Sequence, residues 1–179
     1  TFNHVRDAFN GIHKLPVGIE KNSLEVSTVD LRKGYITLLT SLDVIILKPI
    51  VNILASEINM LNDVRFIAID TEDLIDTNYE RCELITNNYD DALLKLYDEI
   101  NKVQEAYHNS NFDKNSIANI PNTVIFVSGI DKFITKLSIE NKKTFGKMFE
   151  AGKELDKYSF VLIDSVDKFK KVEYDDWYR

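Results

Sequence analysis

Runs of apolar and β-branched residues recur along the chain and predict β-strands. The later runs are apolar at consecutive positions, a pattern typical of parallel strands that are covered on both faces. The alternating segments therefore indicate a doubly wound α/β sheet. The predicted strands are residues 24–31, 35–40, 65–69, 123–127 and 159–163.

Helical periodicity predicts three helices between these strands. The clearest covers residues 90–107, where apolar side chains repeat on one face and acid–lysine pairs stand at i,i+4. A second helix starts near Pro49, a residue suited to a first helical turn because its missing N–H would be unpaired there. We expect the third over residues 138–155, interrupted or ended near Gly152. Nothing indicates a second domain, so residues 1–179 are interpreted as one.

Composition narrows the functional classes. The 179 residues are 44% hydrophobic and 28% charged, as in an ordinary globular domain. The net charge of −7 repels phosphate backbones and disfavours a nucleic-acid partner. The apolar runs are far shorter than the roughly 20 residues of a membrane span. A single cysteine, Cys82, excludes an internal disulfide, and we expect both chain ends to be cut from a longer chain.

The segment after the strand 35–40 is a candidate phosphate-binding loop, because ligand sites in parallel sheets lie beyond the carboxyl ends of strands. It leads into a helix with Lys48 at the junction. A phosphate cradle needs glycines, whose backbone N–H groups turn onto the phosphates, and a hydroxyl beside the lysine. This segment has no glycine, and Asp43 adds a negative charge. We interpret Lys48 as a solvated lysine at a helix start.

The other strand ends also lack a catalytic signature. A nucleotide hydrolase would place an aspartate and a glutamate after the strand 123–127, but Ser128 and Gly129 stand there. Asp70 and Asp164 directly follow two other strands and are candidates to converge at the rim of the sheet. Strand-end aspartates cap turns more often than they catalyse, and we favour capping. The sequence around Ser128 also lacks the glycine that a nucleophile elbow requires.

Taken in order, these landmarks resemble an FtsK/SpoIIIE-type P-loop ATPase domain over residues 15–165. The quoted pieces are similar to successive parts of that family, from its first strand to its sensor strand. They are residues 15–19, 31–39, 66–70, 84–100, 120–127, 148–152 and 160–165. Within that family, the amino-acid sequence is most similar to the last ATPase domain of the EssC-type coupling proteins of type VII secretion. The resemblance implies a three-layer αβα sandwich with a mainly parallel sheet and P-loop topology.

The nucleotide motifs of the family are degenerate in this chain. Ser128 and Gly129 occupy the Walker B position, and Ser165 stands where a polar sensor residue would be. The resemblance therefore implies where the nucleotide motifs would lie in this chain, but it does not imply ATP hydrolysis. We expect no catalytic residue, no metal and no cofactor. The Walker A position is occupied by Thr40, Ser41, Leu42, Asp43 and Lys48.

The resemblance implies a place in a secretion motor. The parent chain would be anchored in the cell membrane and carry several ATPase domains on its cytoplasmic side. Implied partners are the other ATPase domains of that chain, small helical-hairpin WXG-type secreted proteins and further copies in a hexamer. We expect an inactive ATPase-like domain that recognises substrates or regulates secretion. Its candidate contact residues are Leu42, Ile45, Ile46, Trp177 and Tyr178.

Two alternatives stay open. In the first, the domain binds ATP and magnesium at an atypical site that uses Asp70 or Asp164 and is completed by a neighbouring domain or subunit. In the second, it is a flavodoxin- or receiver-like signalling domain, which also has strand-end aspartates. The second is disfavoured because the early aspartate pair after the first strand is absent. For Trp177, the alternative to a partner contact is that its side chain packs on the edge of the sheet.

Overall fold

The strands form a hairpin and a separate five-stranded sheet in the computed structural model, which describes residues 10–172. In the hairpin, β1 (Leu15–Ile19) pairs antiparallel with β2 (Val26–Val29). The strands of the sheet are β3 (Ile36–Ser41), β4 (Val64–Asp70), β5 (Cys82–Ile85), β6 (Asn122–Ser128) and β7 (Tyr158–Ser165). Their order is β3-β7-β6-β4-β5, and every pairing is parallel.

Helices connect the parallel strands. They are α1 (Lys48–Asn59), α2 (Tyr89–Asn109), α3 (Ile130–Lys136), α4 (Ile139–Leu155) and α5 (Val166–Lys171). Two short 3-10 helices, Val44–Leu47 and Lys114–Ile117, precede α1 and β6. Pro49 lies in the first turn of α1, as its sequence position predicts. Among the described residues, no helix is long and apolar enough to cross a membrane.

The sheet is covered on both faces, which confirms the predicted three-layer α/β sandwich. Consecutive apolar residues of a strand face opposite sides, so Ile125 and Val127 join one core while Val124 and Phe126 join the other. Helices α2 to α5 cover the first face. Helix α1 and the hairpin cover the second, where Leu15 and Leu54 are fully buried. Each such side chain contributes about 1.5–3 kcal/mol of hydrophobic stabilisation.

All five strand predictions agree with the structure to within two residues at each end. The prediction for residues 24–31 extends two residues too far at both ends, because only Val26–Val29 is a strand. Leu24 has a left-handed backbone (φ 59°), and its N–H donates to the Glu20 carbonyl, so this residue belongs to the hairpin turn. Helices α3 and α5 were not predicted. Both are shorter than the window in which helical periodicity becomes visible.

The expected interruption of the third helix near Gly152 is also wrong. Helix α4 passes through Gly152 and ends at Leu155. The glycine is there for space, since a Cβ at position 152 would lie 2.7 Å from Cε2 of the fully buried Phe160 ring. Phe160 in turn packs against Phe149, with ring centroids 4.6 Å apart. A residue that looks like a helix breaker therefore lets α4 approach the sheet closely.

The variant Gly152→Ala tests this packing. Alanine favours a helix by about 1 kcal/mol over glycine, but overpacking against an immobile ring costs about 1–3 kcal/mol. We expect net destabilisation in urea unfolding. In the Phe160→Leu background, which makes room for the new methyl group, Gly152→Ala should cost less than in the wild type. Equal costs in the two backgrounds would contradict the packing argument.

Candidate functional site: the carboxyl edge of the parallel sheet

The carboxyl ends of β3, β7, β6 and β4 lie in a row along one edge of the sheet. Asp70 ends β4 and Asp164 lies one residue before the end of β7. Strand β6 separates these two strands, so their backbones are about 10 Å apart at the usual strand spacing. The two aspartates therefore share an edge but do not form one pair, and each has its own set of hydrogen-bond donors.

Asp70 acts as a capping residue for the loop that follows β4. Its carboxylate accepts hydrogen bonds from the backbone N–H groups of Glu72 (3.2 Å) and Ile75 (2.8 Å). It also accepts one from the Ser128 hydroxyl at the end of the neighbouring strand. Asp70 is only 4% exposed. The hydroxyl of Ser128, at the Walker B position, is thus hydrogen-bonded to the carboxylate of Asp70 within the chain.

Asp164 is satisfied in a different way. Its side chain has no exposed surface and accepts from the backbone N–H groups of Ser165 (2.7 Å) and Asp131 (3.1 Å). The Lys168 ammonium lies 3.6 Å from the same carboxylate, one helical turn along α5. Ser165, at the sensor position, is buried directly before α5 and supplies its N–H to this arrangement.

Glu72 lies between two lysines at this edge. Its Oε1 is 3.0 Å from Lys168 Nζ, and its Oε2 is 3.6 Å from Lys132 Nζ. Burial alone would lower the pKa of Lys168, but the hydrogen bond to Glu72 and the charges of Asp164, Glu72 and Asp131 raise it overall. Lys132 also donates to the Thr71 carbonyl at 2.8 Å. Charged side chains of the chain itself therefore fill the edge.

Sequence reasoning did not identify Glu72, Lys132 and Lys168. One signal for Lys168 was present, because it stands four residues after the strand-end Asp164 and the two side chains form an ion pair across the start of α5. Glu72 and Lys132 gave no such signal. They meet only because β4 and β6 are neighbours in the sheet, which the sequence pattern does not specify.

Gly129 allows the loop after β4 to lie close to the end of β6. It has φ +67°, and a Cβ there would lie 2.3 Å from Thr71 Oγ1 and 2.4 Å from Glu72 Cγ. Thr71 Oγ1 donates to the carbonyl oxygens of Ser128 and Gly129 at 2.9 and 3.0 Å. The glycine at the Walker B position thus places Glu72 over the edge.

The Walker A position is occupied by a compact turn. Asp43 accepts from the N–H of Ile45 at 3.0 Å, and the Ser41 hydroxyl donates to the Asp43 carbonyl. Lys48 is the first residue of α1, in agreement with its interpretation as a lysine at a helix start, and its ammonium donates an exposed hydrogen bond to the Asp73 carbonyl at 3.0 Å. Thr40 is exposed at the end of β3. The lysine joins two loops of the edge instead of standing free.

The apolar segment after β3 divides between core and solvent. Val44 and Leu47 are buried beside α1, whereas Leu42, Ile45 and Ile46 are 92%, 67% and 67% exposed. We call these three residues the apolar loop surface. Trp177 and Tyr178, the other candidate contacts, lie outside the described residues.

A groove of about 390 Å³ lies away from this edge, between β5 and α2. Four of its charged residues pair with one another: Arg65 is 2.6 Å from Glu99 and 2.8 Å from Glu83, and Lys95 is 3.7 Å from Glu83. Within residues 10–172, no group of three histidine, cysteine or acidic side chains is arranged to hold a metal ion.

The variant Gly129→Ala tests the close approach of the two loops. An L residue in a left-handed conformation costs about 1–2 kcal/mol, and Thr71 and Glu72 must also move. We expect a loss of at least about 2 kcal/mol in urea unfolding. Gly34→Ala is the matched control, since Gly34 is exposed and a Cβ there makes only an ordinary contact. Similar losses for both variants would contradict this account.

No protein-family model matches the sequence, and no curated protein matches it. Solved structures do match. The cytoplasmic domain of EssC superposes with a TM-score of 0.70 at 11% identity, over 96% of this chain and 34% of that one. EccC (ATPases 2 and 3) of Thermomonospora curvata, in complex with a signal sequence peptide, gives 0.68 at 12%, over 91% and 31%. EssC (ATPases 2 and 3) of Geobacillus thermodenitrificans gives 0.67 at 13%, over 90% and 30%.

This chain spans about a third of the length of those three structures. At such low identity the likeness concerns the fold alone. The expected three-layer architecture and the resemblance noted from the sequence agree with it. The chain adopts the fold of the cytoplasmic ATPase domains of the secretion proteins EssC and EccC.

Proposed function

We propose that this chain is an ATPase-like domain of a type VII secretion motor that acts through protein contacts and does not hydrolyse ATP. One observation carries the proposal: at the edge where a P-loop domain holds its nucleotide, Glu72, Lys132, Lys168 and Asp164 bind one another. The loop after β3 has no glycine and exposes the apolar loop surface instead. The edge thus lacks a phosphate cradle and presents a hydrophobic contact.

The apolar loop surface suits a protein partner. It has three large aliphatic side chains within five positions. Each Å² of their apolar area that a partner covers favours binding by about 25 cal/mol. The neighbouring EccC structure contains a signal sequence peptide. On that support we propose that the partner here is a segment of a secreted helical-hairpin protein of the WXG type, docked in a motor whose other ATPase domains belong to the same chain. The parent chain would be anchored in the cell membrane with this domain on the cytoplasmic side, and a hexamer is the proposed assembly.

An alternative function is ATP binding at an atypical site shared with a neighbouring domain. It is favoured by one finding, that two of the matching structures are named as ATPases 2 and 3 of their chains and thus contain adjacent domains. Asp70 or Asp164 would be its magnesium ligand. That carboxylate would first have to give up a hydrogen bond from a backbone N–H group.

Titration with magnesium and ATP separates the two functions. We expect no heat of binding and no phosphate release from the domain, because the loop after β3 has no glycine whose N–H group could turn onto a phosphate. Isothermal calorimetry and a phosphate-release assay measure this. Micromolar binding, or turnover that is lost in Lys48→Ala or Asp70→Asn, would contradict the proposal. The same titration on a longer chain that includes the adjacent domain tests the shared-site alternative.

Substitutions in the apolar loop surface test the partner contact. Ile45→Asp and Ile46→Asp should change the free energy of unfolding by less than about 0.5 kcal/mol, because both side chains are exposed. They should abolish capture of purified WXG-type secreted proteins from the same cells. Ile139→Asp is the matched control, since Ile139 is 80% exposed at the start of α4. Unchanged capture by both loop variants, or equal loss in the control, would contradict the contact.

A further inference from the structure

Two ammonium groups from different helices meet one carboxylate at the carboxyl edge. Lys132 comes from α3 and Lys168 from α5, and each lies nearest a different oxygen of Glu72. Carboxyl edges of parallel sheets are where such folds bind ligands. We propose that Lys132 and Lys168 form a binding site for a phosphate chain, and that the Glu72 carboxylate occupies this site from within and so keeps external anions out.

The Glu72 side chain is free to leave without unfolding the loop that carries it. The loop is held by other groups: Asp70 accepts from the N–H of Ile75, and Asn52 donates to the Leu74 carbonyl at 2.7 Å. Leu74 and Ile75 are buried, with 1% and 2% exposed. The position of the backbone at residue 72 therefore does not depend on the contacts of its own carboxylate.

Little energy holds the carboxylate in place. The side chains of Glu72, Lys132 and Lys168 are 18%, 48% and 34% exposed, so water screens both ion pairs. Partly exposed ion pairs of this kind add little to stability. An oligophosphate carries several negative charges and can contact both lysines at once. A phosphate chain can therefore displace the Glu72 carboxylate from the two lysines.

The acids around the lysines set the expected affinity. Asp164 and Asp131 act on Lys168 together with Glu72, so the three acids outnumber the two lysines. The wild type should therefore bind an oligophosphate hardly at all. With Glu72 neutral, two acids face two lysines, and weak binding becomes favourable. This site differs from the Walker A position, which lies after β3 and has Lys48 as its lysine.

Glu72→Gln tests the proposal, because it keeps the shape of the side chain and removes its charge. Inorganic triphosphate, without magnesium, is titrated into the ¹⁵N-labelled domain, and amide shifts near residues 72, 132 and 168 are followed by NMR. We expect Glu72→Gln to bind at least about tenfold more tightly than the wild type, a gain of about 1.4 kcal/mol. Adding Lys132→Gln to this variant should remove the gain. ATP in place of triphosphate shows whether the nucleoside contributes.

Glu80→Gln is the matched control, since it changes the net charge equally at an exposed position remote in sequence from both lysines. Binding by Glu80→Gln as tight as by Glu72→Gln would show a general charge effect and overturn the proposal. So would a folded Glu72→Gln domain, verified by its melting temperature, that binds no better than the wild type. The proposal does not rest on the secretion function: tight ATP binding by the wild type would contradict that function, whereas a Glu72→Gln domain that binds triphosphate no better than the wild type contradicts only the proposal that Glu72 occupies an anion site.

Discussion

A carboxylate cut off from water must be hydrogen-bonded or ion-paired, and Asp164 imposes that requirement near the middle of the sheet. Two backbone N–H groups and Lys168 meet it, which fixes where α3 and α5 begin relative to β7. Lys168 then holds Glu72, and Glu72 holds Lys132. One buried charge is thus joined through Lys168 and Glu72 to side chains of neighbouring loops in a single polar layer, while the apolar cores form on the two faces of the sheet.

The fold was predictable because burial on both faces leaves a direct trace in the sequence. Consecutive apolar residues such as Val124 to Val127 are explained only by a strand covered on both sides. The order of the strands leaves no such trace, and the candidate site depends on that order. Asp70 and Asp164 were identifiable as strand-end acids, but their separation by β6 was not. Gly152 was misread for a related reason, since its role depends on Phe160, which comes from a different element.

The structure relates the acidic character of the chain to its edge. A P-loop domain concentrates positive charge and N–H groups around phosphates. Here the equivalent edge combines lysines with an equal or larger number of acids, so its potential does not attract anions. At the same time the loop after β3 turns aliphatic side chains toward solvent. An edge of this composition is better suited to contact with a protein surface than with a phosphate group, which is the basis of the function that we propose.

Strand β7 lies between β3 and the other strands, although it is the last strand in the described part of the chain. Within residues 10–172, β3 pairs with β7 alone. A ribosome adding 5–20 residues per second needs on the order of ten seconds to proceed from one strand to the other. Throughout that interval β3 and the aliphatic residues after it emerge with no sheet to join. The nascent chain thus exposes β3 and the aliphatic segment after it until β7 has been synthesised.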